Sequence, residues 1–402
     1  MIGVRFLTHW FAAMSAMLIA TAHAQVPGEI YDKVMARYGG AGFDPERWSA
    51  SLSPEQRADG AALLASLRDP AVRRLDATEA RDFLSQMGPT VASGIGLIEL
   101  LCIDLAESDG RLTAVTPVPG TPAAASDVRT GDVIVEIDGT PTRLLSLHQA
   151  AKALLGESGS QVNLILERDG RTLEKTIRRA PFPADEPLVS SRVVVIDGRQ
   201  IGYVGILRFN PGVAAQARSA VAALQKQGIA ALVLDLRNNP GGALPEAIEV
   251  AGLFLPTDTP VAALDKRGDI ADTFRTQGDV AYTGLLVVLQ NAGSASAAEV
   301  VAGALRAAGR SRIVGERSFG KGLVHSMERL SDESVLMLPI GRLKTPDGID
   351  ILAHGIAPDV EVADKDVSVV HGRAASNTDS IFNAGARIVT TGKSFLTESP
   401  KE

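Results

Sequence analysis

The segment IAALVLDLRNNPGG, residues 229–242, decides the fold class. It is an almost continuous apolar run that stops at a turn rich in asparagine, proline and glycine. Such runs are typical of strands that are buried on both faces of a parallel sheet. Similar runs occur at Ile201–Phe209, Leu285–Gln290 and Arg312–Gly315, with helical segments between them. The alternation predicts an α/β core with a largely parallel sheet over residues 181–365.

Three of the predicted strands lead into glycine-rich stretches. These stretches are Asp235–Gly242, Asn291–Ser296 and Val314–Gly322. Sites in open α/β sheets lie at the carboxyl ends of the strands. We therefore expect the functional site where these three stretches meet.

Length and composition are those of an ordinary globular protein. The 402 residues predict two or three domains, and the formal net charge of −7 argues against a nucleic-acid partner. A single cysteine, Cys102, excludes an intramolecular disulfide. It lies in the apolar run LIELLCIDL, which indicates packing rather than nucleophilic chemistry.

Residues 1–24 are predicted to be a secretory signal peptide. Arg5 precedes an apolar run from Trp10 to Ala20, and Ala22-His23-Ala24 is a small-x-small cleavage site before Gln25. The apolar run is short for a membrane span. The sequence therefore predicts export, with a bacterial periplasm as the destination. The alternative is an uncleaved signal that anchors the chain to the inner membrane.

Residues 25–89 form a predicted N-terminal helical region, and residues 366–402 form a polar tail. In the first, Ser53-Pro54-Glu55-Gln56 is a capping box with proline at the first helical position. In the tail, Ile381–Val389 is a short helix candidate. Neither region carries evident chemistry.

Residues 90–180 contain short β-rich runs and one helix, at about 146–155. This order resembles a PDZ domain. Gly94-Ile95-Gly96-Leu97 matches the loop where PDZ backbone amides receive a terminal carboxylate. The bound peptide would add as a strand beside the next β-run.

The stretch VGERSFGKGLVH, Val314–His325, raises the question of what Lys321 does. A phosphate-binding loop requires Ser or Thr directly after the lysine, where this chain has Gly322. A Ser318-x-x-Lys321 pair of the β-lactamase type requires a helical turn, which Gly320 and Gly322 disfavour by about 1 kcal/mol each. The remaining interpretation is that Lys321 is a base for a serine elsewhere in the chain.

Ser296 is the best candidate for that serine. It follows a strand and a glycine turn and opens a predicted helix, whose free amides and positive dipole end stabilise an oxyanion. A serine hydroxyl is inert without a base, and a lysine serves as that base only when it is neutral. The apolar neighbours Phe319, Leu323 and Val324 suit a pocket that disfavours the charged lysine.

The stretches NAGSASAAE (Asn291–Glu299) and VGERSFGKG (Val314–Gly322) together resemble the C-terminal processing peptidases, also called tail-specific proteases. GIAPDV (Gly355–Val360), after a turn at Thr345–Gly348, resembles the closing motif of that family. The resemblance extends over about residues 90–365. It implies a crotonase-like α/β core together with a PDZ domain, and the N-terminal helical segment precedes both.

The resemblance also implies roles for individual residues. Ser296 would be the nucleophile and Lys321 the general base, while the amides of Gly241 and Ala297 would form the oxyanion hole. One departure concerns His325, because many family members have glutamine four residues after the lysine, where it orients the lysine side chain. A histidine nitrogen also accepts a hydrogen bond, so His325 is the candidate for the same orienting role. The alternatives are that His325 marks a weakened enzyme, or that it is a polar residue beside the site with no role.

The leading functional hypothesis is a periplasmic serine endopeptidase. Its PDZ domain would capture unstructured, apolar C-terminal tails of protein substrates, and no metal or cofactor is required. The resemblance allows for a lipoprotein adaptor and a homo-oligomer. One alternative is a catalytically silent PDZ scaffold that binds protein C-termini, since fold does not guarantee function. Another is a cell-wall hydrolase, although the usual zinc ligands and paired acids are not apparent.

Overall fold

The computed structural model divides the chain into two compact units. The first comprises the described part of Met1–Thr90 together with Lys266–Asp269 and Leu323–Gly341, and the second comprises the remainder. The residues that the structure describes are 26–40, 42–69, 71–86, 93–94, 101–104, 111–117, 120–145, 147–181, 187–363 and 379–390.

A six-stranded sheet is the main element of the second unit. In spatial order its strands are Val189–Ile196, Arg199–Ile206, Ala231–Asp235, Leu285–Gln290, Arg312–Gly315 and Val360–Glu361. The first two strands are antiparallel, and all later neighbours are parallel. The predicted largely parallel core is thus confirmed. The antiparallel edge strand, whose first half contains two serines and an arginine, was not predicted.

Helices cover both faces of this central sheet. They are Val213–Lys226, Leu244–Gly252, Ala297–Ala307 and Ser380–Thr390. Side chains alternate between the two faces along each strand. Tyr203 and Val233 point to the face where they form a buried cluster with Phe382 of the last helix. On the opposite face, a Cβ added to Gly202 would lie 3.3 Å from Leu224 of the first helix.

The PDZ region is a separate antiparallel sheet within the second unit. Its strands are Leu101–Asp104, Arg111–Ala114, Val133–Ile137, Thr140–Pro141, Gln161–Arg168 and Arg171–Arg178. Helices Pro122–Ala125 and Leu147–Leu154 and the short turn of helix Thr142–Leu144 accompany them. Ile134, Leu164 and Leu166 are fully buried in its core. The predicted PDZ domain is therefore confirmed as an independent hydrophobic core.

Two further strands, at residues 260–275, were not predicted. Pro260–Lys266 and Asp269–Arg275 are neighbours in a sheet, and Arg267 and Gly268 between them have φ values of 63° and 103°. Positive φ at both positions is the signature of a tight hairpin turn. The last residues of Val335–Lys344 pair with the first of these strands, with Lys344 opposite Ala263. A short helix, Ile351–His354, follows.

The first unit is mostly helical. Residues 26–37 are helical, and the further helices are Pro45–Ser51, Pro54–Ala58, Gly60–Ala65 and Ala77–Gln86. The predicted capping box is confirmed: Ser53 Oγ accepts from the Gln56 amide, and the Gln56 side chain accepts from the Ser53 amide. The strands are Arg73–Leu75, Leu323–Arg329 and the start of Val335–Lys344.

Ile30, Val34 and Leu63 lie in the core of the first unit and are fully buried there with Leu336 and Leu338. None of the helices within the described ranges is long and apolar enough to cross a membrane.

Candidate active site

Three loops meet at the carboxyl ends of neighbouring parallel strands. We call them the glycine loop (residues 236–242), the serine loop (residues 291–296) and the lysine loop (residues 316–322). The Ala295 amide donates to the Asn239 carbonyl oxygen at 2.8 Å, and the Phe319 amide donates to the Ser294 carbonyl oxygen at 2.9 Å. Backbone hydrogen bonds therefore join the serine loop to both of the other loops, as the sequence predicted from the strand ends.

The two serines of the serine loop differ in their environments. Ser294 is buried, and its hydroxyl donates to the Leu236 carbonyl oxygen at 2.8 Å while accepting from the Asn291 amide at 3.0 Å. Ser296 is half-buried and lies just before the helix Ala297–Ala307, which we call the nucleophile helix. Ser294 therefore holds the loop together, and Ser296 is the more exposed of the two serines.

The backbone of Ser296 has φ 55° and ψ −117°, a conformation that L-residues rarely adopt. Strained residues of this kind persist only where the surrounding structure holds them, and they cluster at functional sites. Ala297 is the first residue of the nucleophile helix, so its amide has no carbonyl partner within the helix. The sharp turn thus sets the Ser296 hydroxyl beside the positive end of the helix dipole.

Gly241 packs directly against the serine. A Cβ added to Gly241 would lie 2.6 Å from Ser296 Cβ and 2.9 Å from the Ala297 nitrogen, and the φ of 101° also favours glycine. Its amide, however, donates to Asn239 Oδ1 at 2.9 Å, while Asn239 Nδ2 donates to the Ile206 carbonyl oxygen. The structure places the predicted oxyanion residue beside Ser296 with its N–H already engaged.

Glu299, in the first turn of the nucleophile helix, links the serine to the lysine loop. Its Oε2 accepts from the amides of Ser296 and Lys321, at 2.7 and 2.8 Å. Its Oε1 accepts from the Gly320 amide at 2.8 Å and from Ser318 Oγ at 2.6 Å. The backbones of the two predicted dyad residues therefore share one carboxylate oxygen.

The Glu299 carboxyl group is completely buried. Burial raises its pKa to about 7, although the four donors around it favour the charged form. With all four of these contacts made by donors, the arrangement suits an ionised carboxylate. Its protonation state can therefore change close to neutral pH.

Lys321 is half-buried and its backbone is fixed by Glu299. Within the described ranges, no carboxylate forms an ion pair with its Nζ. Phe319, two residues earlier, packs against the buried pair Val115 and Ala295. Apolar packing thus fixes the loop that carries the Lys321 amine.

The remaining predicted residues are not part of these three loops. His325 is exposed on the strand Leu323–Arg329, which belongs to the first unit. Ser93–Gly94 forms a short strand that pairs with Ala180–Pro181. The rest of the predicted carboxylate-binding loop, Ile95-Gly96-Leu97, lies outside the described residues.

Sequence reasoning missed the roles of Glu299 and Asn239. A signal for Glu299 was present, since Ser296-x-x-Glu299 before an apolar run is a capping-box pattern. No local pattern shows that the same carboxylate also binds the lysine loop. Among the described residues, no group of three or more His, Cys, Asp or Glu side chains is arranged to hold a metal ion.

Comparison with known proteins is consistent with this geometry. Residues 200–362 match the peptidase family S41, and residues 113–168 match a PDZ domain. The chloroplastic C-terminal processing peptidase of Tetradesmus obliquus is 38% identical over 313 residues, which are 75% of this chain and 66% of that protein. The carboxyl-terminal-processing protease of a Picosynechococcus species is 33% identical over 329 residues, 82% of this chain and 77% of that protein.

The solved structure of a photosystem II D1 C-terminal processing protease superposes with a TM-score of 0.74 at 31% identity, covering 85% of this chain and 93% of that chain. The match therefore extends over most of this chain. This chain belongs to the S41 family of carboxyl-terminal-processing proteases, which are serine peptidases.

Proposed function

We propose that this chain is a periplasmic endopeptidase that cleaves C-terminal regions of protein substrates with a Ser296–Lys321 dyad. The observation that carries the proposal is the Glu299 carboxylate, whose Oε2 binds the amides of both residues. A serine on a strained turn and a lysine without an ion-pair partner among the described residues are thus held next to each other. The relatives named for C-terminal processing support the choice of substrate.

In the proposed reaction, neutral Lys321 Nζ accepts the proton of the Ser296 hydroxyl as Oγ attacks the carbonyl carbon of a peptide bond. The negative charge of the tetrahedral intermediate develops on the former carbonyl oxygen, next to the Ala297 amide. The Lys321 ammonium group then protonates the departing amine, leaving an ester on Ser296. Water, deprotonated by the same lysine, hydrolyses that ester and restores the serine.

The second oxyanion donor would come from the turn Gly241–Gly242. Gly241 fulfils this role only if its amide exchanges Asn239 Oδ1 for the substrate oxygen. Gly242 is the neighbouring donor. In the bridge between this turn and Phe209, the Phe209 amide donates to the Gly241 oxygen and the Ala243 amide donates to the Phe209 oxygen. The Gly242 amide takes no part in that bridge. Loss of one oxyanion donor typically removes about 3 kcal/mol of transition-state stabilisation.

The test is cleavage of a loosely folded protein with an apolar C-terminal tail, followed by intact mass. The mature protein, residues 25–402, is compared with Ser296→Ala and Lys321→Met. We expect loss of the C-terminal region with the wild type and no cleavage with either variant. Cleavage that persists in Ser296→Ala would contradict the assignment of the nucleophile.

Binding of the tail without cleavage, over several tails and pH values, would instead favour the scaffold function. The observation that favours this second candidate is the engaged amide of Gly241. His325→Gln would then show whether the histidine silences the site, since the orienting role of His325 stays a prediction.

The export signal, the periplasmic location, the lipoprotein adaptor and the homo-oligomer are also proposals that derive from the sequence. The mass of the protein recovered from a periplasmic extract tests the first two, because cleavage after Ala24 removes 24 residues. Retention of the full mass in a membrane fraction would indicate the uncleaved anchor.

A further inference from the structure

Arg237 lies on the glycine loop and is the largest completely buried side chain among the described residues. Its Nη2 donates to Asp235 Oδ2 at 2.6 Å and to Asp379 Oδ2 at 3.0 Å, and its Nη1 donates to Asp379 Oδ1 at 2.8 Å. Its Nε donates to both oxygens of Asp235. Two carboxylates from distant parts of the chain therefore surround one buried guanidinium group.

Asp379 belongs to the other end of the chain and has a second contact. Its Oδ1 accepts from the Phe382 amide at 2.9 Å, so it caps the C-terminal helix, Ser380–Thr390. That helix packs with Ile381, Phe382 and Val389 on the central sheet. The same carboxylate thus begins the helix and binds the glycine loop.

The two residues that follow Arg237 in the glycine loop contact the serine loop and Gly241. Asn238 follows directly, and its amide and side chain bond with the Asn291 side chain at 2.9 Å each. Asn239 accepts from the Ala295 amide with its carbonyl oxygen and from the Gly241 amide with its side chain. A shift at Arg237 would therefore move residues that contact both the serine loop and Gly241.

We propose that Asp379 is a positioning residue, which through Arg237 fixes the glycine loop against the serine loop, so that turnover depends on the contact between Asp379 and Arg237. The proposal rests on the proposed function for its kinetic consequence. A buried guanidinium group remains charged and requires acceptors for its donors. Without Asp379, Arg237 would retain Asp235 as its one carboxylate partner among the described residues; it would reorient or admit water, and the loop would move with it.

The test compares three variants of the mature chain. Asp379→Asn removes the charge but keeps a good helix cap, because asparagine caps as well as aspartate. Asp379→Glu restores the charge and is the rescue variant. Val389→Ala is the matched control, since it removes a buried contact of the same helix and leaves the ion pair intact.

We expect Asp379→Asn to lower kcat by about 10- to 100-fold, because misplacement of an active-site group by about 1 Å has an effect of that size. The KM should stay within about threefold of the wild type. Asp379→Glu should recover part of kcat, and Val389→Ala should lower Tm while leaving kcat within about twofold at temperatures where it is folded. An unchanged kcat in folded Asp379→Asn would overturn the proposal. So would equal losses of kcat in Asp379→Asn and Val389→Ala, because docking in general would then be responsible.

Hydrogen–deuterium exchange of peptides that span residues 236–242 gives a readout independent of catalysis. Asp379→Asn should accelerate exchange there, and Val389→Ala should not. This measurement holds even if no substrate is cleaved, so it separates failure of the positioning role from failure of the proposed function. Unchanged exchange of the loop in Asp379→Asn would overturn the positioning role directly.

Discussion

Replacing Glu299 by leucine should stop catalysis without unfolding the protein. Leucine is close to glutamate in size but has no acceptor, so the amides of Ser296, Gly320 and Lys321 would lose their common partner. The serine and lysine loops would then be free to move relative to each other. Because misplacement of a catalytic group by about 1 Å reduces turnover by about 100-fold, we expect kcat to fall by at least that factor.

The effect on stability should be smaller than the number of lost hydrogen bonds suggests. A buried amide without a partner costs about 1–3 kcal/mol, so three such amides cost about 3–9 kcal/mol. Leucine also removes a carboxyl group whose pKa burial raises from 4.5 to about 7. At about 1.4 kcal/mol per pKa unit, removing this buried charge raises the free energy of unfolding by about 3 kcal/mol. The free energy of unfolding should therefore fall by several kcal/mol at most.

Glu299→Gln is the matched control. Its oxygen can accept from the Ser296 and Lys321 amides, while its NH₂ group faces Ser318, whose hydroxyl can turn to accept a hydrogen bond. Only the Gly320 amide would then face a donor. We expect this variant to keep kcat within about tenfold of the wild type and to melt at a similar or higher temperature, because one unpaired amide costs about 1–3 kcal/mol and the buried charge is gone.

The assay is kcat and KM on a protein with an apolar C-terminal tail, at a temperature where thermal melts show each variant to be folded. Labelling of Ser296 by a fluorophosphonate probe reports the reactivity of the serine separately from binding. If folded Glu299→Leu retained kcat within about threefold of the wild type, the shared carboxylate would not be what positions the dyad.

Four further outcomes are expected. Acidification from about pH 8 to about pH 6 should protonate Glu299 and lower kcat in the wild type, and this component of the pH–rate profile should be absent in Glu299→Gln. Acidification should have the opposite effect on stability, because the Glu299 pKa of about 7 in the folded state exceeds the unfolded value of 4.5 and the folded state therefore binds more protons. In denaturant titrations, the free energy of unfolding should fall as the pH rises from 4.5 through about 7. Gly241→Ala should abolish turnover, since the added Cβ would lie 2.6 Å from Ser296 Cβ; recovery of wild-type rates would contradict that contact. Leu164→Ala, in the PDZ core, should lower the free energy of unfolding by about 2–5 kcal/mol, and a loss below about 1 kcal/mol would mean that this core is loosely packed.

The fold could be predicted where its signals are local. The strands Leu285–Gln290 and Arg312–Gly315 begin and end as predicted, because apolar runs and glycine turns mark them within a few residues. The hairpin at residues 260–275 could not be predicted in the same way. Its second strand is almost entirely exposed and carries no regular apolar pattern, and its first strand pairs on the other side with Val335–Lys344, far along the chain.

The candidate site shows the same limit. Ser296, Lys321 and Gly241 could be proposed because each lies in a short motif at a strand end. The residues that hold them act over long separations, as Arg237 does with Asp379, 142 residues away. A charged residue in an apolar context is visible in a sequence, but its partner is not. The engaged amide of Gly241 is a further example, because only the three-dimensional structure shows which acceptor it binds.

Glu299 and Arg237 are two buried ionisable groups near this site, and each joins segments of the chain that are distant in sequence. Glu299 holds the lysine loop to the serine, and Arg237 holds the glycine loop to the C-terminal helix. Each charge is removed from water, and well-packed apolar residues in such places often make a protein more stable rather than less. Stability alone therefore does not account for either group. A buried charge supplies a set of directional hydrogen bonds that fixes several loops at once. A loss of kcat that exceeds what the change in Tm accounts for, in the Glu299 and Asp379 variants, measures that contribution.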